Sequence, residues 1–460
     1  MIAVTRRAAL ALATLPFPAF AAAPRKTGAK TGARPGPYLI GADISWVPED
    51  EAAGARFFAS GVQQDPVRIL RHAGFNAIRL RIFVDPAKGY SKREPDKAWA
   101  GLDQTIRLGR RIRDAGMGLV LSFHYSDTWA DPEHQGVPAA WTGYDLPQLA
   151  KAVEAHTHDT LVAMRAGGAP VDMAVIGNET TFGMLWPHGR VKLSTLTGNP
   201  VTDANHAKVD RQAIGGFDGF AALLRAGIAG ARRAEPAIAI QLHNHLGRHW
   251  PILREWTDAL IARHVDFDVI GLSCYQQREQ GDWADSFARF VRRYPDEGLL
   301  VAEYSSRKRY LNDLVYNLPG KHGWGSFIWE PLRHQEAIFD LDGRNAGGGP
   351  KPDLLSQGIN SAEAPGGLAT YFDAGANTHN LFIAEQEDST SNTATIVKLN
   401  DATGSFAYVK AIEITLSTNA GFAALAYDNV NQTLIGSSPD FDNKENLIQV
   451  IDTGSDPLFS

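Results

Sequence analysis

The sequence predicts an α/β fold: a (β/α)8 TIM barrel followed by a short β-rich C-terminal appendage of propeller-blade-like repeats. Three observations carry that prediction. From Tyr38 onward, short apolar runs alternate with longer amphipathic stretches, the pattern of βα units on a parallel sheet. Eight such runs can be counted before the pattern changes, which favours a closed barrel over an open doubly wound sheet. Four of the runs lead into acids and aromatics, and in a barrel such strand ends converge on one cleft.

The strand candidates are Tyr38–Ala42, Ala77–Phe83, Gly118–Phe123, Met173–Ile176, Ala237–Leu242, Val269–Ser273, Leu299–Ala302 and Gly325–Ile328. Between them, Leu102–Ala115, Leu146–Arg165, Phe217–Arg233, Ile252–His264 and Asp285–Arg293 read as helices. Ahead of the barrel, Arg6-Arg7, the apolar stretch Ala8–Phe20 and Ala21-Ala22-Ala23 make residues 1–23 a secretory signal. Arg6-Arg7 fits an ordinary positive start better than a twin-arginine signal; either predicts an exported, periplasmic or secreted protein. Residues 24–37, rich in Lys, Arg, Gly, Thr and Pro, read as a linker.

The barrel is expected to occupy residues 38–355, closing after Asp340-Leu-Asp-Gly343 and the Gly347–Pro352 break. Residues 356–460 turn to Thr, Asn, Asp and Gly between short apolar strands, and they repeat. Asp373–Ala384 parallels Asp428–Gly436, and Ile396–Gly404 parallels Ile448–Gly454. The second offset, about 50 residues, is typical of propeller blades. Two blades cannot close a ring, since propellers use about four to eight, so the appendage reads as incomplete and of unknown role.

Composition narrows the function. The 460 residues are 44% hydrophobic and 21% charged, ordinary for a globular chain. A net charge of -6 lacks the basic excess that nucleic-acid binding requires, whereas a neutral polysaccharide makes no such demand. No segment is long and apolar enough to anchor the chain in a membrane, and a monomer is expected. Cys274 is the single cysteine; it reads as a small apolar filler rather than a nucleophile, and no Gly-x-Ser-x-Gly elbow stands in the barrel region.

The chemistry points to Glu179 and Glu303. Retaining glycoside hydrolysis needs one carboxyl to protonate the leaving oxygen and a second, about 5 Å away, to attack the anomeric carbon. These two glutamates stand just beyond the fourth and seventh predicted strands, which face each other across an eight-stranded barrel. Either one alone reads equally well as a solvated loop acid. Arg79 and Arg81 alternate on one strand and point to one side, so one of them could keep Glu303 ionised, or both could form an ion pair sealing the barrel interior. Glu179 needs a raised pKa from burial or a neighbouring charge, and Glu303 could supply that charge.

The segments Gly177-Asn178-Glu179-Thr-Thr-Phe-Gly183-Met-Leu-Trp186-Pro187 and His124-Tyr125-Ser126-Asp127-Thr-Trp129-Ala-Asp131 through Trp141 closely resemble the motifs of glycoside hydrolase family 53, the arabinogalactan endo-β-1,4-galactanases. Gly41-Ala-Asp43-Ile-Ser45-Trp46, Asn76–Arg81, Gly271-Leu-Ser273 and Trp329-Glu330-Pro331 match it in order, over about Tyr38 to Leu355. The resemblance implies a retaining barrel enzyme that cleaves inside the β-1,4-galactan side chains of pectin without a cofactor. It implies Glu179 as acid/base, Glu303 as nucleophile and Asn178 as the partner of the sugar 2-hydroxyl. His124 and Tyr275 would line the subsite around the nucleophile, with Tyr275 bonding Glu303. Trp329 would form an apolar floor under a sugar ring, ordinary core packing being its other reading. Asp127, Trp129 and Asp131 would shape the third loop with possible sugar contacts, and Asp43 and Trp186 join the substrate-binding set.

Some bacterial members of that family carry calcium after strand seven. Here Ser305–Asp313 is basic and short of clustered oxygen ligands, so no calcium is expected. His243, His245 and His249 read as polar cleft lining more readily than as a metal cluster. Two departures bear on substrate. Ser273-Cys-Tyr275-Gln-Gln-Arg-Glu-Gln280 replaces the family's tyrosine pair and proline-tryptophan, and Tyr304 follows Glu303 directly where threonine and alanine usually intervene. A barrel glycosidase on another β-linked glycan, or a sugar-binding protein without turnover, are the alternatives. The retained Glu179 and Glu303 argue against the second.

Overall fold

The computed structural model describes residues 30–59, 62–195, 214–275, 282–305, 308–333 and the C-terminal strands between 367 and 451. The signal segment, the barrel boundary at Leu355 and the loop residues 276–281 lie outside the described residues.

Eight parallel strands close into a barrel in chain order. They are β1 (Leu39–Asp43), β2 (Ala77–Ile82), β3 (Gly118–Phe123), β4 (Met173–Ile176), β5 (Ala239–Asn244), β6 (Val269–Ser273), β7 (Gly298–Tyr304) and β8 (Gly323–Trp329). The helices around them are α1 (Val47–Ala52), α2 (Pro66–His72), α3 (Leu102–Asp114), α4 (Leu146–Ala166), α5 (Gly216–Ala234), α6 (Trp250–Ile261), α7 (Trp283–Arg293) and α8 (Lys308–Tyr316). Where the sequence carries a cap, the helix starts on it. Asp145 accepts from the Gln148 amide while Gln148 reaches back to Asp145, and Asp282 accepts from the amides of Ala284 and Asp285. Trp250 precedes Ile252 in α6 because Pro251 is tolerated in a first turn.

Period-2 alternation divides the strands between two cores, except on β8, where Trp324 and Phe327, three residues apart, both face inward across a register shift with β7. Leu299 and Val301 face the helices, while Leu300 and Ala302 point into the barrel with Leu39, Ala77, Val120, Met173, Val269, Trp324 and Phe327. Below this apolar layer, residues 30–37 run against the barrel: Trp324 Nε1 donates to the Gly32 carbonyl at 2.8 Å, and the Gly32 amide donates to Pro295 O at 2.9 Å.

Strand β7 is longer than its apolar run, and Glu303 lies within it rather than just past its end. The reason is local. Leu272 pairs with Val301 but the next residue, Ser273, pairs with Glu303, so β7 carries one extra residue at Ala302. Strict alternation would send Glu303 outward after Leu299 and Val301; the bulge turns it inward.

The C-terminal strands form two antiparallel sheets in sequential order. One holds β9 (Gly367–Asp373), β10 (Thr378–Gln386), β11 (Thr393–Asn400) and β12 (Ala407–Thr415); the other holds β13 (Ala424–Asp428), β14 (Thr433–Asp440) and β15 (Glu445–Ile451). The sequence repeats coincide with this pairing. The first repeat starts at the last residues of β9 and β13 and ends within β10 and β14, and the second starts inside β11 and β15.

Candidate active site

Above the apolar layer, the inward positions at the strand ends are polar: Asp43 on β1, Arg79 and Arg81 on β2, Ser122 on β3, His243 on β5, Ser273 on β6 and Glu303 on β7. Arg79 is the hub. Its Nη1 donates to Asp43 Oδ2 at 2.9 Å and to Glu303 Oε1 at 2.7 Å, and its Nη2 donates to Ser122 Oγ at 3.1 Å and Asn178 Oδ1 at 2.6 Å. With both acids and the arginine buried, this is a buried ion triad whose geometry must offset desolvation. Tyr275 donates to the other oxygen of Glu303 at 2.9 Å.

Glu179 has a different setting. Gly177 adopts φ +83°, and a Cβ there would sit 2.6 Å from Thr180 Cγ2, so the chain after β4 needs glycine. Glu179 itself is left-handed at φ 48°, ψ 46°, a conformation costing about 1–2 kcal/mol for a non-glycine residue. Its neighbours hold it there. Gln135 Nε2 donates to the Asn178 carbonyl at 2.8 Å, Thr180 Oγ1 donates to His243 O at 3.2 Å, and Trp256 Nε1 donates to Thr180 O at 3.1 Å. Among the described residues the Glu179 carboxyl meets no cation; Ser273 Oγ lies 2.6 Å from its Oε1.

Burial raises both carboxyls. Glu179 is pushed up to about 8, first by burial and then by the charge of Glu303. Burial also raises Glu303, but Arg79 opposes it, and the Tyr275 hydroxyl adds to that opposition. In such a pair the proton falls to the member without the cation, Glu179.

The other sequence candidates fall into place around this pair. Asn178 donates from Nδ2 to Ala130 O at 2.8 Å, and its second N–H has no acceptor among the described residues. His124 accepts at Nδ1 from the Ala130 amide at 3.0 Å, and burial, with Arg79 and Arg81 adding, holds its pKa well below the usual histidine range, so it presents Nε2–H. Arg81 pairs with Glu330 at 2.8 Å rather than with Glu179 or Glu303, and its guanidinium lies 4.2 Å from the Trp129 ring centre. Trp129 and Trp329 each meet Trp46 edge-on, at 5.8 and 5.3 Å between centroids, and Trp329 meets Tyr275 at 6.4 Å. Asp127 braces the third loop, accepting from the amides of Asp85 at 3.0 Å and Ala139 at 2.7 Å. Trp186 donates to Phe182 O at 2.9 Å and carries Arg190 over its ring.

Four further residues join the site; the sequence marked His243 as polar cleft lining but gave none of the four a specific role. Ser273 and His243 follow inward from Val269 and Ala239 by alternation; Ser273 already ended the sixth predicted strand, and His243 joins once β5 is drawn past Leu242 to Asn244. Trp46 and Glu330 sit inside matched motifs; Glu330 accepts from the Trp46 amide at 3.2 Å. His243 bonds Asn178 and Ser273, and among the described residues no group of three or more metal-ligating side chains converges.

Residues 39–310 match the model of glycosyl hydrolase family 53. An uncharacterized protein of Niallia circulans is 31% identical over 329 residues, covering 64% of this chain and 83% of that one. An arabinogalactan endo-β-1,4-galactanase of Humicola insolens is 33% identical over 256 residues, 54% of this chain and 67% of that one. Among solved structures, a fungal β-1,4-galactanase superposes with a TM-score of 0.55 at 26% identity, covering 68% of this chain and 97% of that one. A family 53 catalytic domain from Ignisphaera aggregans gives 0.56 at 25% identity, covering 71% and 98%.

Proposed function

Since the chain belongs to glycosyl hydrolase family 53 and is therefore a glycosidase, we propose that it is an exported endo-β-1,4-galactanase that cleaves (arabino)galactan with retention of anomeric configuration. The single observation that carries the mechanism is the unequal treatment of two buried carboxyls: among the described residues Glu303 is held by Arg79 and Tyr275, and Glu179 by Ser273.

Glu303 attacks the anomeric carbon while Glu179 gives its proton to the departing glycosidic oxygen, forming a galactosyl ester on Glu303. Glu179, now a base, takes a proton from water, which attacks the same carbon and frees Glu303. Once Glu303 is an uncharged ester its contribution to the raised pKa of Glu179 is gone and burial alone still favours the acid form, so Glu179 takes the proton in concert with the attack of water. The free N–H of Asn178 reaches for the 2-hydroxyl, where hydrogen bonds strengthen in the transition state. Trp329, Trp46 and Trp129 offer aromatic faces and edges for sugar C–H groups, and His124 offers Nε2–H nearby. The chemistry uses no cofactor.

The galactanase names of the relatives support the substrate. The altered sequence after Tyr275 supports a second reading, the same chemistry on another β-linked glycan. Reducing-sugar release and product profile on β-1,4-galactan, for wild type, Glu179→Gln and Glu303→Gln, separates the two. Short galacto-oligosaccharides lost in both variants fit the proposal; a folded wild type inactive on galactan sinks the substrate.

A further inference from the structure

The hydrogen bonds around Glu179 can be followed proton by proton. Asn178 Oδ1 faces Arg79 Nη2, which only donates, and its Nδ2 faces the Ala130 carbonyl, which only accepts, so the amide orientation is fixed. His243 Nδ1 lies 3.2 Å from that same Oδ1. A carbonyl oxygen cannot donate, so Nδ1 must carry a hydrogen. His243 is fully buried, with Arg79, His124 and His245 adding to the cost of a positive charge, and is therefore neutral. Its Nε2 is then a bare lone pair, 3.0 Å from Ser273 Oγ. Ser273 has one hydroxyl proton, and His243 claims it. The remaining contact, 2.6 Å between Ser273 Oγ and Glu179 Oε1, can be a hydrogen bond only if the proton comes from the carboxyl.

We propose that Ser273 and His243 are positioning residues that hold the proton on Glu179, through a directed chain from Glu179 to Ser273 to His243 to Asn178. The inference rests on the acid/base reading of Glu179. With Glu179 protonated, every member of the chain has a donor and an acceptor. With Glu179 ionised, Ser273 can satisfy either the carboxylate or His243 Nε2, and one buried acceptor goes without. The chain thereby favours the acid form in the resting enzyme. A half-turn of the carboxyl presents its O–H to the leaving oxygen; the serine proton then swings to Glu179, and the proton later taken from water restores the start. One proton leaves and one returns per turnover.

A serine that simply donated to a carboxylate would act in the opposite direction, and the sign of a titration shift distinguishes the two. The groups facing Glu179 are Glu303 on β7, Arg79 on β2, Asp131 in the loop after β3, His243 on β5 and Tyr275 after β6; a comparison with and without Glu179 in each background cancels their own titrations to first order. Thermal unfolding across pH 4 to 9 is measured for wild type and Glu179→Gln, and for Ser273→Ala and His243→Leu with and without Glu179→Gln. The midpoint of each difference curve reports the Glu179 titration without any substrate. Loss of Ser273 is expected to lower that midpoint by about one pH unit, the equivalent of one ordinary hydrogen bond. Loss of His243, which frees the serine proton for the carboxylate, lowers it too. A midpoint that rises or stays put in Ser273→Ala overturns the proposal, and if His243→Leu does not fold, Ser273→Ala decides alone. A wild type with no Glu179-dependent titration in this range would instead remove the acid/base reading itself.

Discussion

The two walls of the cleft hold the same side chain, glutamate, in opposite ways. On the β7 wall Glu303 is inside a strand, turned inward by a bulge, bonded by an arginine and a phenol, and tied through Arg79 to Asp43 and Asn178. On the β4 wall Glu179 stands past the strand end in a left-handed conformation, against a serine and with no cation bonded to it among the described residues. The first setting supports a carboxylate that must attack; the second supports a carboxyl that must first give up a proton. The difference teaches that role is set by surroundings rather than residue type, and each prediction removes one part of it.

Removing the cation should have the largest effect. Arg79→Leu leaves Asp43 and Glu303 buried and unpaired, a loss of about 3–5 kcal/mol in stability by the usual cost of breaking a buried pair, with activity lost as well. Denaturant unfolding checks the first and turnover of an aryl β-galactoside the second.

Next are the carboxyls themselves. Glu179→Gln should cost about 10²–10⁴-fold in kcat/KM on galactan but far less in kcat/KM on an aryl galactoside with an activated leaving group, which needs no proton for the first step, while kcat still falls because the second step has lost its base. Glu303→Gln should fail on both. Equal losses in the two variants on both substrates would erase the distinction between the walls.

The pH dependence sharpens it. Because Glu179 is raised to about 8 in the folded protein against an ordinary 4.5, the folded state binds more protons than the unfolded one between those values. Its contribution to stability is complete below about 4.5 and falls as pH rises toward 8. Wild type should therefore lose melting temperature over that interval relative to Glu179→Gln, and kcat/KM should fall on the basic side near 8.

Smaller effects come from single supports. Tyr275→Phe removes one hydrogen bond to a charged oxygen, about 1.5–3 kcal/mol of support for ionised Glu303, and should move the acidic limb of kcat/KM upward. Gly177→Ala should cost about 1–2 kcal/mol from its positive φ, more if Thr180 cannot yield, with kcat reduced because Glu179 shifts.

The legibility of these walls in the sequence differed. All eight strands were readable because apolar runs punctuated by turns survive in one dimension, and the alternation of Arg79 with Arg81 put both on one side, as found. Sequence alternation alone could not choose between them; reaching Glu303 depends on how far β1, β2 and β7 are staggered. The bulge at Ala302 left no mark, since a single extra residue in one strand is visible only against its partner. The Ser273–His243 pair was hidden for a related reason: two residues 30 apart meet only because β5 and β6 are neighbours.

The central claim is that Glu303 attacks and Glu179 protonates, which is double displacement with retention. Proton NMR of the first products from β-1,4-galactan, recorded before mutarotation, tests it directly. The account predicts that the β-anomer of the new reducing end appears first; an α-anomer appearing first would contradict it.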